Sequence, residues 1–319
     1  MSFIKKVPLP IVAVALSWAT LGNLLSFLSP AVKPICGCIS VVMLVLFLLR
    51  LAMDWPAVKK ELQTPIMLSV VGTFPMLLML LATYVKPLWG LMPARAVWVL
   101  GLGLHVLLIC VFSMKFLIKL DLKKVFASYY IVYVGIGVAG ISAPAVEWKH
   151  LGVSLTWFAI VAFALVACLV TYRYLKVPQV PQPAQPLAAI YAAPASLCLA
   201  AYLNSVDAKA LPVVIILYVC VLVFYLVGLF QTLPKLSWPF FPSFAAFTFP
   251  FAISGVATRG TFGFAKKAGV MTSWLPVFNC ISYIAMAVAV AMVLYVTVRY
   301  LIFLCSAPPA QTPTQKSAA

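Results

Sequence analysis

The chain has 319 residues, of which 65% are hydrophobic and only 8% are charged, and its mean hydropathy is +1.14. So few polar residues cannot cover the surface of a water-soluble protein. The composition therefore predicts an integral membrane protein. The net charge of +17 does not indicate a nucleic-acid partner, because the basic residues fall between apolar segments rather than on one face with aromatic residues between them.

Apolar runs of about 20 residues predict ten membrane-spanning helices. They cover residues 8–28, 34–53, 65–85, 94–116, 125–145, 151–172, 186–204, 210–231, 241–258 and 272–302. The stretch KVPQVPQPAQP at 176–186 predicts a stiff, extended linker, because prolines favour the polyproline conformation. We therefore expect one ten-helix domain over residues 1–305 and a disordered cytoplasmic tail over 306–319.

The basic residues predict the orientation in the membrane. Ten spans place both termini on one side, and fourteen of the 22 lysines and arginines fall on that side. Because basic residues accumulate in cytoplasmic loops, both termini are predicted to be cytoplasmic, in a multi-pass protein of the cell's inner membrane.

The positions of helix-breaking residues predict a fivefold repeat. Each odd-numbered span has a deep proline or glycine, at Pro10, Pro75, Gly137, Pro194 and Pro250, and the intervals are 65, 62, 57 and 56 residues. Each interval is the length of one helical hairpin with its loops. A kinked helix needs neighbours or water for its freed carbonyl, so the odd helices are expected to surround a central passage. The predicted fold is an all-α membrane protein with five hairpins around a quasi-fivefold pore.

The charged residues predict what the passage carries. All five acidic residues fall at span ends or in loops, and no lysine or arginine lies in mid-span. Proton-coupled carriers keep a costly buried charge because they use it, whereas an uncharged passage with positive surroundings suits weakly bound anions. The one mid-span titratable group is His105, for which a neutral, hydrogen-bonded structural role is favoured over a proton relay.

Several hydroxyl and amide side chains on the odd helices could line the pore. Each could instead bond the carbonyl four residues back in its own helix. The candidates are Thr20, Asn23, Thr73, Ser128, Ser196, Thr248 and Ser254.

Other motifs indicate neither a catalytic centre nor a cofactor or metal site. The sequence GIGVAG at 135–140 matches a dinucleotide fingerprint, but it lies within a membrane span, where close helix packing explains it. Cys36 and Cys38 form C-x-C without a second ligand pair at metal-binding spacing. We therefore expect a transport protein rather than an enzyme.

Four segments resemble one known family in the same order along the chain. They are PLP at 8–10 with LGNLL at 21–25, TPIMLSVVGTFPM at 64–76, APASLCLAAYL at 193–203 and AAFTFPFAISGVAT at 245–258. Through these the chain resembles the tellurite-resistance/dicarboxylate transporter family, which includes the TehA proteins and the plant guard-cell slow anion channels. The resemblance implies five hairpins around a pore in each subunit of a homotrimer. It also implies that Phe249, in the T-F-P step, blocks the pore as a gate positioned by Pro250.

The first helix departs from the expected family pattern. It has Ala13 and Ser17 where glycines are expected, so its approach to the pore axis is expected to be less close. The favoured function is a phenylalanine-gated channel, or channel-like exporter, that passes small anions passively. The alternative is a secondary transporter, either a proton-coupled C4-dicarboxylate carrier of the malate type or one for tellurite or sulfite.

Overall fold

The computed structural model describes residues 2–306, and the regular secondary structure in that range is helical. The α-helices are α1 Ser2–Lys6, α2 Ile11–Leu25, α3 Val32–Met53, α4 Trp55–Glu61, α5 Pro65–Val71, α6 Thr73–Trp89, α7 Leu91–Phe112, α8 Tyr129–Tyr133, α9 Gly137–Ser142, α10 Lys149–Lys176, α11 Pro194–Ser205, α12 Leu211–Thr232, α13 Phe249–Ala268 and α14 Leu275–Cys305. Short 3-10 segments join them at Leu122–Lys124, Ala143–Val146, Gln182–Ala192, Leu233–Lys235, Pro242–Phe247 and Thr272–Trp274, and a π turn at Ser113–Leu117 extends α7.

Within residues 2–306, seven helical segments are long and apolar enough to cross a membrane. They are Val32–Met53, Pro65–Trp89, Leu91–Leu117, Lys149–Lys176, Gln182–Ser205, Leu211–Lys235 and Thr272–Cys305. Two shorter apolar helices, Ile11–Leu25 and Gly137–Val146, lie where the first and fifth spans were predicted. The predicted class, an all-α integral membrane protein, is supported at this level.

Two boundaries differ from the sequence prediction. The predicted ninth span ends at residue 258, but α13 continues to Ala268 and includes Arg259, which was expected in a loop. The stiff linker predicted over 176–186 is shorter than expected, because a 3-10 helix already begins at Gln182. Of the tail predicted over 306–319, residues 307–319 lie outside the described residues.

Burial separates the membrane segments into an inner and an outer set. In the segment Gln182–Ser205, 94% of the most apolar window is buried inside the protein, against 28% in Leu211–Lys235. The long helices α3, α7, α10, α12 and α14 expose rows of large apolar side chains. Because such rows are stable against lipid tails and not against water, these five helices form the lipid-facing layer.

The inner helices contact one another in chain order. Helix α2 packs against α6, α6 against α9, α9 against α11 and α11 against α13, while α13 packs back against α2. Each inner helix also packs against the outer helix that follows it in the chain. The contacts among the inner helices therefore form a closed circuit.

Each inner helix begins after a break in its membrane segment. Pro10 directly precedes α2, and the other predicted breakers fall in the first turn after a break, with Pro75 in α6, Gly137 in α9, Pro194 in α11 and Pro250 in α13. Proline has no N–H to donate and clashes with the carbonyl four residues back, so it suits a first turn and ends the segment before it. The breaks leave room at one end of the inner helices.

Candidate functional site

A cavity of about 480 Å³ lies among these breaks. Its wall includes Pro10, close to the N-terminal segment, and that segment meets the end of α14 where Lys6 Nζ donates to the Ser306 carbonyl at 2.9 Å. The cavity therefore lies on the side of the molecule where the two ends of the described chain meet. Each inner helix, or the segment that leads into it, contributes residues to its wall, among them Pro10, Val70, Thr73, Met76, Val134, Gly135, Leu187, Pro194, Ala245, Phe249 and Pro250. We call it the vestibule.

The wall of the vestibule is mostly aliphatic. Hydroxyl-bearing side chains are few among its residues, and Glu61 is the one charged residue among those that line it in the described chain. Glu61 is itself paired with Arg50, whose Nη2 lies 3.0 Å from Glu61 Oε1. An ion in this space therefore meets no lining cation that would hold it tightly.

A second, smaller cavity of about 40 Å³ lies beyond the vestibule. Its polar wall residues are Thr20 and Asn23 of α2, and the rest of its wall is Leu80, Val138, Ile141, Phe249, Ile253 and Val256. The Asn23 amide nitrogen donates to Thr83 Oγ1 at 3.1 Å, which holds the amide against α6. Two of the residues predicted to line a pore thus meet here.

Phe249 is the residue that lines both cavities. It is the first residue of α13, directly after the break at Thr248, and its side chain is only 6% exposed. Pro250, which follows it, contributes to the vestibule wall alone. Phe249 therefore borders both spaces.

Hydrogen bonds hold Thr248, the residue directly before Phe249. Thr248 Oγ1 donates to the Ala245 carbonyl at 2.7 Å and lies 2.7 Å from Ser17 Oγ of α2. Ser17, noted in the sequence only as a departure from the expected glycine, therefore joins α2 to the residue before Phe249. Its oxygen also lies 2.7 Å from the Ala13 carbonyl.

The remaining predicted polar residues do not line either cavity. Ser196 and Ser254 lie 2.9 Å apart through their hydroxyl oxygens and join α11 to α13. Ser128 is fully buried, and its hydroxyl has no hydrogen-bond partner in the described chain. Pro75, Gly137 and Thr248 are likewise absent from both walls. Of the predicted site residues, the vestibule wall includes Pro10, Thr73, Pro194, Phe249 and Pro250.

Sequence reasoning missed Glu61, Thr64 and Tyr130 as wall residues. Glu61 and Thr64 were read as loop residues between spans. A local signal for them exists, because Thr64 caps α5 by accepting from the Met67 N–H at 3.3 Å and so starts the next inner segment.

His105 lies outside both cavities. It is fully buried, and its Nε2 lies 3.0 Å from the carbonyl of Val132. Within GIGVAG, a side chain at Gly140 would collide with Thr156 of α10, so this glycine permits close helix packing.

The comparisons with known proteins place these features in a family. A family model described as the voltage-dependent anion channel, SLAC1, matches residues 7–301. The chain belongs to this family. The resemblance to the tellurite-resistance/dicarboxylate transporter family and its slow anion channels is thereby confirmed. No curated protein sequence matches the chain. Family membership makes the protein a membrane channel or transporter of the anion-conducting kind.

Proposed function

We propose that this protein is a passive channel, or channel-like exporter, for small anions and that the ring of Phe249 is its gate. The single observation that carries the proposal is the position of Phe249 between the two cavities. An apolar ring across an uncharged neck excludes water, and ions cannot cross a dry constriction. Rotation of the ring away from the neck would connect the two spaces.

The proposed path runs along the axis of the inner helices. The closed circuit of contacts from α2 through α6, α9, α11 and α13 supports five hairpins around one pore, ten spans in all. The vestibule would open to the cytoplasm, together with both termini, in a cell's inner membrane. We further propose a homotrimer with one pore in each subunit, as the resemblance described above implies.

The test is the current through the purified protein in a planar bilayer with chloride and nitrate gradients and no pH gradient. Wild type is compared with Phe249→Ala and with two control variants, Phe247→Ala and Phe251→Ala. Both control side chains are fully buried and line neither cavity. We expect a small wild-type current and at least about a tenfold larger one in Phe249→Ala alone, reversing at the anion potential.

A current that rises equally in all three variants would show general loosening of the fold and would refute the gate. Currents that stay at the wild-type level in Phe249→Ala would remove the gate as well. The control variants lose a buried phenylalanine, which costs about 3–5 kcal/mol in a packed core. Phe249→Ala should cost less, because its ring already borders empty space on two sides.

One observation favours the alternative of a proton-coupled carrier for C4-dicarboxylates or for tellurite or sulfite. Glu61 is a titratable side chain in the vestibule wall, where protons could be exchanged. Uptake of labelled malate into vesicles, with and without a pH gradient, separates the mechanisms. Saturable uptake that requires the gradient and disappears in Glu61→Gln would support the carrier; the channel predicts flux that follows the anion gradient alone.

A further inference from the structure

Each long outer helix carries a basic residue near its end on the vestibule side. They are Arg50 in α3, Lys115 just after α7, Arg173 in α10, Lys235 just after α12 and Arg299 in α14. Lys115 is exposed, but Arg173 is 1% exposed, Arg50 and Lys235 are 7% exposed, and Arg299 is half-buried. We call Arg173, Lys235 and Arg299 the buried basic group.

The buried basic group has no carboxylate partners in the described structure. The chain has only five acidic residues. Arg50 forms ion pairs with Asp54 and Glu61, and Lys124 forms one with Asp121. The other two acidic residues, Glu147 and Asp207, pair with lysines at the opposite end of the molecule. Buried charges are normally paired, so Arg173 and Lys235 are unusual, and together with the half-buried Arg299 they leave a net positive field at this end.

Arg173 donates hydrogen bonds to the backbone of the segment that leads into the vestibule wall. Its Nη1 donates to the Val177 carbonyl at 2.8 Å and its Nη2 to the Gln179 carbonyl at 3.3 Å. Two residues later the chain reaches Pro181, which lines the vestibule. The guanidinium also stacks over the Phe126 ring at 5.1 Å. The charge thus lies beside the segment that leads into the wall.

Arg299 occupies a similar place on the fifth hairpin. Its Nη2 donates to the Trp238 carbonyl at 2.6 Å, and its guanidinium lies 5.2 Å from the centre of the Phe244 ring. The residues on either side of Phe244, Ser243 and Ala245, line the vestibule. Lys235 lies beside the same segment, 5.9 Å from the Trp238 ring centre.

We propose that Arg173, Lys235 and Arg299 set the anion preference of the vestibule from behind its wall, by their field and without touching the ion. A charge surrounded by low-dielectric protein is poorly screened, and an apolar cavity focuses its field. Membrane orientation alone would place basic residues on this side but would leave them in water. The inference rests on the proposed function, which supplies the anion.

The potential inside the vestibule can be measured without any current. A reporter thiol is introduced by Ser243→Cys, and its modification by a negatively and by a positively charged thiosulfonate is followed by mass spectrometry on the purified full chain. The ratio of the two rates reports the local potential. Arg173→Gln and Arg299→Gln are each expected to lower the anionic-to-cationic ratio about fivefold at low ionic strength, and clearly less at 1 M salt.

Lys176→Gln is the matched control, because Lys176 lies one turn from Arg173 on the same helix but is exposed. It should change the ratio less than about twofold. Arg173→Lys keeps the charge and loses the two-pronged bonding, so it should retain the wild-type ratio if the field is what matters. Lys235→Gln is a third charge-removing variant, to be measured if one of the arginine variants does not fold.

A ratio that is unchanged in the folded Gln variants, or that falls equally in Arg173→Lys and Arg173→Gln, would overturn the inference. Because labelling needs only the closed protein, this result stands apart from the bilayer test of Phe249. In the Phe249→Ala channel, Arg173→Gln should also lower the anion-to-cation permeability ratio. If the Phe249→Ala channel conducts but Arg173→Gln does not lower its permeability ratio, the gate proposal is kept and the role of the buried basic group is refuted.

Discussion

Substitution of Ser254 tests which hydrogen bonds hold α13 near the break that precedes Phe249. Its hydroxyl lies 2.9 Å from the Ala192 carbonyl, 2.8 Å from the Pro250 carbonyl and 2.9 Å from Ser196 Oγ. The Ser196 hydroxyl also reaches the Ala192 carbonyl at 2.9 Å. Two hydroxyls from different inner helices therefore converge on one carbonyl at the break before α11.

Replacing Ser254 by alanine removes a hydrogen bond between helices. Such bonds in membrane proteins contribute about 0.6 kcal/mol on average and at most about 1.7 kcal/mol. We expect Ser254→Ala to fall in that range, because Ser196 remains at the Ala192 carbonyl. In the double variant that carbonyl loses both hydroxyls, so the loss should exceed the sum of the single losses by about 0.5 kcal/mol or more.

The assay is reversible unfolding of the purified protein in mixed micelles, with the free energy of unfolding measured for each variant. Ser282→Ala is the control, because Ser282 is fully buried and its hydroxyl donates at 2.8 Å to the Asn279 carbonyl of its own helix. Ser282→Ala should lower the free energy of unfolding by less than Ser254→Ala does. Equal losses at the two sites, or strictly additive losses in the double variant, would refute the inter-helix role.

Two further predictions concern packing and acid sensitivity. An alanine Cβ at Gly101 would lie 2.9 Å from the Met79 backbone nitrogen, so Gly101→Ala should cost about 1–3 kcal/mol of unfolding free energy. Gly103→Ala, on the same helix with open space around it, should be neutral or stabilising by up to about 1 kcal/mol; equal effects would contradict the packing. The hydrogen bond from Lys86 lowers the pKa of Glu147, so that pair stabilises the fold at neutral pH and its contribution disappears as pH falls through the lowered pKa. Glu147→Gln should therefore unfold slightly more easily than wild type at pH 7 and at the same point well below about pH 4, and a gap that persists in acid would contradict it.

The membrane class and most span positions could be predicted from sequence because they depend on local properties. A segment of 20 apolar residues is visible in any window, and proline restricts its own backbone whatever surrounds it. For the same reason the breaks at Pro194 and Pro250 were found. The family followed from four short segments in one order, and the match over residues 7–301 confirms it.

What sequence reasoning missed depends on partners distant in the chain. The extension of α13 past residue 258 was missed because Arg259 reads as a loop charge. In the structure its guanidinium lies 4.9 Å from the Phe27 ring centre and 5.5 Å from that of Tyr283, and its Nη1 donates to Asn279 at 3.1 Å. These aromatic and amide contacts come from α14 and from the chain after α2, so no local window contains them.

The serine pair at the break illustrates the same limit. Ser196 and Ser254 each bond the carbonyl four residues back, as hydroxyls in apolar helices typically do; that of Ser254 lies in its own helix and that of Ser196 just before α11. Their mutual contact joins positions 58 residues apart and appears only when α11 and α13 are packed together. The same assembly brings Glu61 from a surface connection to the wall of the vestibule.

The closed circuit of inner helices has a consequence for how the protein is made. Because α13 packs back on α2, the contact between Ser17 and Thr248 joins residues 231 positions apart. Helix α2 is synthesised long before α13, so the flank that α13 covers stays open until α13 has been made. Contacts of such long range form late and leave apolar or polar surface open to wrong partners in the meantime. Quality-control proteases should therefore degrade ribosome-bound chains that end before α13 more readily than complete chains. The exposure ends when α13 packs against α2 and the contact between Ser17 and Thr248 forms.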